Sequence, residues 1–493
     1  MKNTPCLTLM ALLLCIPGHS QVPGNMNIGT LSPHHWPSPS PSMVRIRGVV
    51  WAGMEPQRGV YDFSELNNWI TIAGSHGAQV LMTFYGIPTW ASGSDGVHPP
   101  KDIAYTNEKC QAPLAGVTLP YGNCMWAENV TELMQFLCGT NVQPSSPLVG
   151  KCRIHNFEGW NEFNDGGYWS SNYTNQATME NTANMIIQKY CGDCFFLVGN
   201  TSAGGLGYSA QYYKVPSVSM RFDTALGQVL DAWHALPNAV LPRAGKNGLS
   251  FHGYNARHSV YPFPMPETNI SFSSPLCTQY NVPNASCYTD IFDQADAVED
   301  IIETRPWLGS LPIWNTEGGF EWNGDVTDGI NPNDANSDLL KQAYVARWIL
   351  GLASPSKRHS VTVEMNMWYE WDDPCWGTMY SYGIPASSTS CPSIPQYPVG
   401  DTPIHSTWVL MTTWLNGAKF SGSCNNSGVI WQCNITKPGY QGRFMWTTER
   451  LTSTSVPIGS SYYTQYRDLD GNVYKLNGSN HVTVTNRPIL LEP

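Results

Sequence analysis

Two short stretches carry residues whose types and spacing can do chemistry. The first, Phe157 to Asp165, reads F-E-G-W-N-E-F-N-D and places Glu162 directly after Asn161, where a strand-like run gives way to Gly, Asn and Asp. The second ends an apolar run on Asn315-Thr316-Glu317, followed by two glycines. Two carboxyl groups about 5 Å apart carry out double displacement at an acetal carbon: one attacks, and the other protonates the departing oxygen and then activates water. On this reading Glu162 is the general acid/base and Glu317 the nucleophile. A lone acid in a loop is more often a solvated charge, so the reading depends on elements that bring the two together.

Those elements are legible as an alternation of apolar runs and helix-period segments. Strands are expected at 25–29, 44–50, 79–85, 153–158, 195–199, 249–254, 311–316 and 361–368. Helices are expected from an N-cap at Ser64 to a stop at Gly74 or Gly77, and at 128–138, 177–190, 224–236, 294–304, 337–352 and 404–415. Only the first strand connection lacks a helical pattern. Eight strands alternating with helices predict an α/β fold, a (β/α)8 TIM barrel, whose functional residues stand at the C-terminal strand ends. Glu162 follows the fourth strand and Glu317 the seventh, which face each other across a small barrel. Beyond Gly417 the texture changes to short β runs punctuated by Gly, Asn and Ser, an accessory C-terminal antiparallel β-sandwich-like domain. The expected boundaries are 1–20 for a signal peptide, 21–416 for the barrel and 417–493 for the β domain.

Composition narrows the function class. Charged residues make up 13% of 493 and the net charge is -11, which disfavours nucleic acid and anionic membrane surfaces as partners. The 19 Trp and 24 Tyr suit either a large core or flat faces that bind sugar rings. Lys2, the apolar run Leu7 to Ile16 and Gly18-His19-Ser20 read as a secretory signal, and no later run is long enough to span a membrane. The expectation is a secreted, extracellular or periplasmic monomer with an oligosaccharide or polysaccharide substrate. Of 14 cysteines, removal of Cys6 and Cys15 with the signal leaves twelve in sequential neighbours: Cys110/Cys124, Cys138/Cys152, Cys191/Cys194, Cys277/Cys287, Cys375/Cys391 and Cys424/Cys433. Local disulfides are the economical reading. Asn129, Asn172, Asn200, Asn269, Asn284, Asn425, Asn434 and Asn477 open glycosylation sequons. No metal or cofactor is expected: Cys191-Gly-Asp-Cys194 lacks a second ligand pair, and Asp468 to Asn472 reads as a hairpin turn rather than a calcium loop.

Trp160-Asn161-Glu162 at the fourth strand and Thr316-Glu317-Gly318 at the seventh resemble the (β/α)8 retaining glycoside hydrolases of clan A. Within that clan, Trp51-Ala-Gly-Met-Glu-Pro-Gln-Arg-Gly-Val-Tyr-Asp-Phe63 is similar to a W-x-x-x-E-P-x-x-G-x-Y-D-F segment of family 39, with family 5-like enzymes next. Phe163 stands where these enzymes commonly have Pro, and Gly318-Gly319 is an uncommon pair after the nucleophile. The resemblance implies roles. Asn161 would bond the sugar 2-hydroxyl, and Arg45, with Arg47 as fallback, would hold Glu317 ionised. Tyr254 would orient Glu317, with His252 deeper in the pocket, and Trp368 would floor the reacting sugar. Each also has a structural reading: Arg45 as an interior ion pair, Tyr254 and Trp368 as core, His252 as a buried histidine. Glu158 reads as a supporting acid. Tyr85 and His34-His35-Trp36 end the third and first strands and are candidates to line the pocket. The alternative function is a catalytically inactive carbohydrate-binding or adhesion protein on the same fold.

Overall fold

The computed structural model describes residues 26–30, 35–46, 49–103, 123–165, 167–202, 222–237, 239–254, 265–267, 291–319, 335–372, 379–381, 398–449 and 452–493. The expected signal segment, His34, Arg47 and the pairs Cys277/Cys287 and Cys375/Cys391 lie outside the described residues.

Eight strands, each parallel to the next, form a closed barrel: β1 (Met26–Thr30), β2 (Met43–Ile46), β3 (Gln79–Phe84), β4 (Asn156–Trp160), β5 (Phe195–Ser202), β6 (Asn247–His252), β7 (Ile313–Glu317) and β8 (Met365–Trp368). β1 pairs with both β2 and β8, which closes the ring. Helices Ser64–Ser75, Cys124–Cys138, Tyr173–Tyr190, Phe222–Ala235, Ile291–Glu303, Ala335–Ala353 and Pro403–Leu415 follow in the expected order. Ser64 is the first helical residue rather than the cap; Asp62 Oδ1 accepts its N–H at 2.9 Å.

The period-two alternation of each strand sorts the side chains into two cores. Outward residues such as Val44, Met82, Phe157, Phe196, Phe251 and Ile313 meet the helices. Inward residues Met43, Leu81, Leu197, Trp314 and Met367 plug the lower barrel. Two positions further along β2 and β3, the same inward face turns polar at Arg45 and Thr83, and Glu158 of β4 joins them, all three buried. The apolar plug seals the lower barrel, and the charged layer above it supports the strand ends.

Three register shifts interrupt the upper barrel. Thr83 pairs with Glu158 but Phe84 with Trp160, Gly199 pairs with Ser250 but Thr201 with Phe251, and Phe251 pairs with Asn315 but His252 with Glu317. One residue is therefore extra at Gly159, Asn200 and Thr316. Such bulges re-aim the residues that follow them, here Asn161-Glu162 after Gly159 and Glu317 after Thr316.

After Leu415 a seven-stranded antiparallel sheet is built mainly from Ile430–Lys437, Tyr440–Thr447, Gln465–Arg467 and Ile489–Glu492. A two-stranded ribbon, Thr454–Pro457 with His481–Val484, covers one face around Met445, Val456, Val484 and Leu491. That gives the expected sandwich-like layering. The opposite face carries Trp431, Phe444 and Trp446 into the main core. There Arg347 donates to Glu267 Oε1 (2.6 Å), to Thr447 O (2.8 Å) and to Asn486 O, joining the helix Ala335–Ala353 to the sheet. Asp468 accepts N–H bonds from Asp470 and Asn472, while Arg487 forks onto Asp470, as befits a hairpin turn.

Disulfides join Cys138–Cys152, Cys191–Cys194 and Cys424–Cys433 as paired from sequence. Cys124 is also disulfide-bonded, and Cys110 lies outside the described residues. Two sequons are corrected by burial: Asn129 and Asn200 are both 0% exposed, so neither amide is accessible in the folded chain. No helix among the described residues is long and apolar enough to cross a membrane.

Candidate active site

Arg45 is the hub of the barrel mouth. It is 2% exposed, and its guanidinium donates from Nε to Glu158 Oε2 (2.7 Å), from Nη1 to Glu317 Oε2 (2.6 Å) and from Nη2 to Asn161 Oδ1 (2.7 Å). Three elements far apart in sequence are thereby registered on one rigid planar cation. Thr83 Oγ1 adds a 2.6 Å bond to Glu158 Oε2. Burial pushes the Glu158 carboxyl up, but Arg45, and after it His252, outweigh burial and hold it below its ordinary value of 4.5. Glu158 is thus a fixed counter-charge beneath the site, as its supporting role required.

Glu162 and Glu317 converge above this layer. Glu162 is buried at φ 43°, a left-handed conformation uncommon for a residue with a side chain. Its carbonyl accepts Asp165 N–H at 2.7 Å and closes the turn. Backbone strain of this kind costs of order 1–3 kcal/mol and clusters at functional sites. Carboxylate oxygens of Glu162 and Glu317 lie within 4.8 Å of each other. Tyr254 donates its hydroxyl to Glu317 Oε1 at 2.8 Å, so each Glu317 oxygen has a donor. Burial, and then the Glu317 charge, push the Tyr254 hydroxyl well above its ordinary value of 10, which keeps it a donor.

His252 sits between the two acids. Its Nδ1 is 2.8 Å from Glu162 Oε1 and 3.7 Å from Glu317 Oε2, and its Nε2 is 3.4 Å from Arg45 Nη2. Nδ1 thus faces Glu162, and Nε2 faces the Arg45 guanidinium. Gly253, which separates His252 from Tyr254, donates its N–H to Glu317 O and Asn315 Oδ1; a Cβ there would lie 2.7 Å from that Oδ1. The Glu162, His252 and Glu317 ligand atoms are spaced as for a metal ion. The Arg45 cation already occupies the flank of that trio, which disfavours a second cation.

The sequence candidates separate cleanly. Arg45, Asn161, Glu162, His252, Tyr254 and Glu317 form one connected cluster. Tyr85 is half-buried at the end of β3, next to Phe84, whose carbonyl accepts Asn161 N–H at 2.8 Å. Trp368 does not floor a sugar site. It is 0% exposed, on the outward face of β8, with its ring against Tyr344, Trp348 and Trp408. Strand-end position pointed to it, but strand parity turns Met367 inward and Trp368 outward. The next residue, Tyr369, stands close enough to Tyr254 to raise its pKa and was missed. Trp36 stacks on His76 and does not line the mouth. The glycines after Glu317 serve packing rather than ligand approach: a Cβ at Gly318 would meet Gly253 O at 2.7 Å and the Trp348 ring at 2.8 Å. Phe163, where Pro is common, is buried edge-on against Tyr173.

The Trp51-to-Phe63 segment is a local structural device. Glu55 accepts bonds from Trp51 Nε1 (2.8 Å) and Gly59 N (2.9 Å), and Trp90 Nε1 donates to Glu55 O (2.9 Å). Its acid, glycine and aromatics close one turn on themselves.

Fold and cluster together define a class: a (β/α)8 barrel with paired carboxylates at the ends of the fourth and seventh strands. A glycoside hydrolase family 42 model, described as beta-galactosidase, matches residues 38–95. Among solved structures, a family 39 glycoside hydrolase from Bacteroides cellulosilyticus is similar at TM-score 0.60 and 16% identity, over 96% of this chain and 81% of that one. A conserved exported protein from Bacteroides fragilis aligns at TM-score 0.54 and 11% identity, over 96% and 97% of the two chains. A family 51 arabinofuranosidase from Xanthomonas axonopodis pv. citri aligns at 0.50 and 9%, over 96% of each. At these identities the likeness establishes the fold. No curated protein matches the sequence significantly.

Proposed function

We propose that this chain is an exported retaining glycoside hydrolase acting on an oligosaccharide or polysaccharide. The observation that carries the reading is the approach of the Glu162 and Glu317 carboxylates to within 4.8 Å, with Glu317 held at both oxygens by Arg45 and Tyr254. That spacing suits direct attack; an inverting pair stands about 6.5–9.5 Å apart to admit a water. Similarity to glycoside hydrolases of the same fold supports it. Disulfides, and the likeness to an exported protein, support export.

In this mechanism Glu317 Oε1 or Oε2 attacks the anomeric carbon and forms a glycosyl ester. Glu162 gives its proton to the departing oxygen. Water then attacks the anomeric carbon, giving a proton to Glu162, and the bond to Glu317 breaks to release its carboxylate. Asn161 Oδ1 is committed to Arg45, so its amide N–H groups are left to donate to the sugar 2-hydroxyl. The test is the anomeric configuration of the first-formed product, read by NMR on substrates from a polysaccharide and aryl-glycoside panel. Retention is expected, and inversion would refute the mechanism.

A further inference from the structure

Glu180 is a fully buried acid, outside the catalytic cluster, on the outward helix Tyr173–Tyr190. It lies against the strand that delivers Glu162. The β4–β5 ladder ends at the pair Glu158/Leu197, so the two strands part just below the barrel mouth. Backbone direction then leaves two amides facing the gap. Asn161 N–H bonds Phe84 O on β3, so Trp160 N–H, one residue earlier, points the other way, toward β5. Phe195 N–H bonds His155 O, next to β4, and Phe196 N–H bonds Lys246 O, next to β6, so Gly199 N–H faces β4. Buried amides of this kind need acceptors.

Glu180 supplies them. Its Oε2 accepts Gly199 N–H at 3.3 Å, Gln176 Nε2 donates to Oε1 at 2.7 Å, and Trp160 N–H points at the same carboxyl closely enough to lower its pKa. The two glycines make the approach possible: a Cβ at Gly159 would lie 2.5 Å from Glu180 Oε1, and Gly199 adopts φ 104°. Phe84, Trp126, Trp160, Met179 and Phe196 wall the carboxyl and leave a cavity of about 10 Å³, at the lower limit for one water. The side chain therefore replaces the missing ladder bonds where the strand ends part.

We infer that Glu180 is a positioning residue for the acid/base Glu162, stapling the bulged end of β4 to β5 so that the Asn161-Glu162 turn is held in its productive place. This rests on the glycosidase reading above. Burial, partly offset by Gln176 and the two amides, raises the Glu180 carboxyl to about 8, so the neutral acid prevails at neutral pH. In the neutral form the hydroxyl can donate to Gln176 Oε1 once that amide is turned over, and the other oxygen accepts Gly199 N–H. Glutamine reproduces this pattern; leucine fills the space and offers no acceptor.

The experiment compares substrates that need protonation of the leaving group with one that does not. Glu180→Leu, Glu180→Gln and Gly159→Ala are assayed on phenyl glycosides, and for the rate of Glu317 labelling by 2,4-dinitrophenyl 2-deoxy-2-fluoro gluco-, galacto- and xylosides. For Glu180→Leu, kcat on the phenyl glycoside should fall roughly 10- to 100-fold while the labelling rate changes less than about threefold. Glu180→Gln should stay within about threefold of the unaltered protein on both. Labelling also counts folded sites. If Glu180→Leu does not fold, Gly159→Ala, which drives a methyl into the carboxyl, should give the same split. Equal loss on both substrates, or no loss in either variant, overturns the positioning role alone. No labelling of the unaltered protein overturns the glycosidase reading and this inference with it.

Discussion

Arg45 reaches Glu317 through a 2.6 Å bond from Nη1 to Oε2, both side chains being almost wholly removed from solvent. The same guanidinium holds Glu158 at 2.7 Å, so one cation serves the proposed nucleophile and a second anion. Without Glu158, the Arg45 charge would be neutralised by Glu317 alone. With it, the centre keeps net negative charge, which favours the oxocarbenium-like transition state.

Removal of the hub should therefore be severe. Arg45→Leu leaves two buried carboxylates uncompensated and should destabilise the fold by about 3–5 kcal/mol. Urea denaturation of the variant against the unaltered protein measures this, and a change below about 1 kcal/mol would contradict the hub role.

Glu162→Ala should lose activity selectively. On substrates with poor leaving groups the loss should be roughly 10²- to 10⁴-fold, whereas 2,4-dinitrophenyl glycosides should still form the glycosyl-enzyme, and azide should accelerate its turnover. Steady-state kinetics with and without azide reads both. Uniform loss across leaving groups without azide rescue would assign Glu162 another role.

Tyr254→Phe deletes one donor to Glu317, the proposed nucleophile, and should lower kcat roughly 10- to 100-fold, the scale of a hydrogen bond to a charged group. Because the Tyr254 hydroxyl is raised well above 10, the pH profile of the unaltered enzyme should show no limb from it at or below that pH. An alkaline limb below pH 10 that disappears in Tyr254→Phe would contradict this.

The fold was legible where physics leaves a simple trace. Parallel strands buried on both faces read as apolar-rich runs, and Val44 to Ile46, Val80 to Phe84 and Ile313 to Thr316 fall within the expected strands, with Glu317 one residue beyond the last. Glu162, Glu317, Arg45 and Tyr254 were legible because each ends or lines a strand. Trp368 misled because strand ends specify height in the barrel but not which face a side chain takes. The bulges at Gly159, Asn200 and Thr316 left no pattern, since one extra residue changes register without changing composition. Glu180 was invisible for a related reason: Gln176 and Glu180 four apart on a helix read as a solvated face, and only the parted β4–β5 ladder turns that pair inward.

Glu180 also carries a pH signature. Its carboxyl is raised from 4.5 to about 8 in the fold, so between those values the folded chain binds a proton that the unfolded chain has lost. The stability it contributes is fully present below about 4.5 and declines as pH rises toward 8. Glu180→Gln lacks this titration, so its melting temperature relative to the unaltered protein should rise between pH 5 and pH 8. A constant difference across that range would contradict the buried neutral acid.

The central claim, that Glu317 attacks the sugar, is tested most directly by trapping. Incubation with 2,4-dinitrophenyl 2-deoxy-2-fluoroglycosides, followed by proteolysis and mass spectrometry, should place one fluoroglycosyl group on the peptide containing Glu317, with Glu317→Gln unlabelled and inactive. Label on any other residue, or undiminished glycoside hydrolysis by Glu317→Gln, would contradict the account.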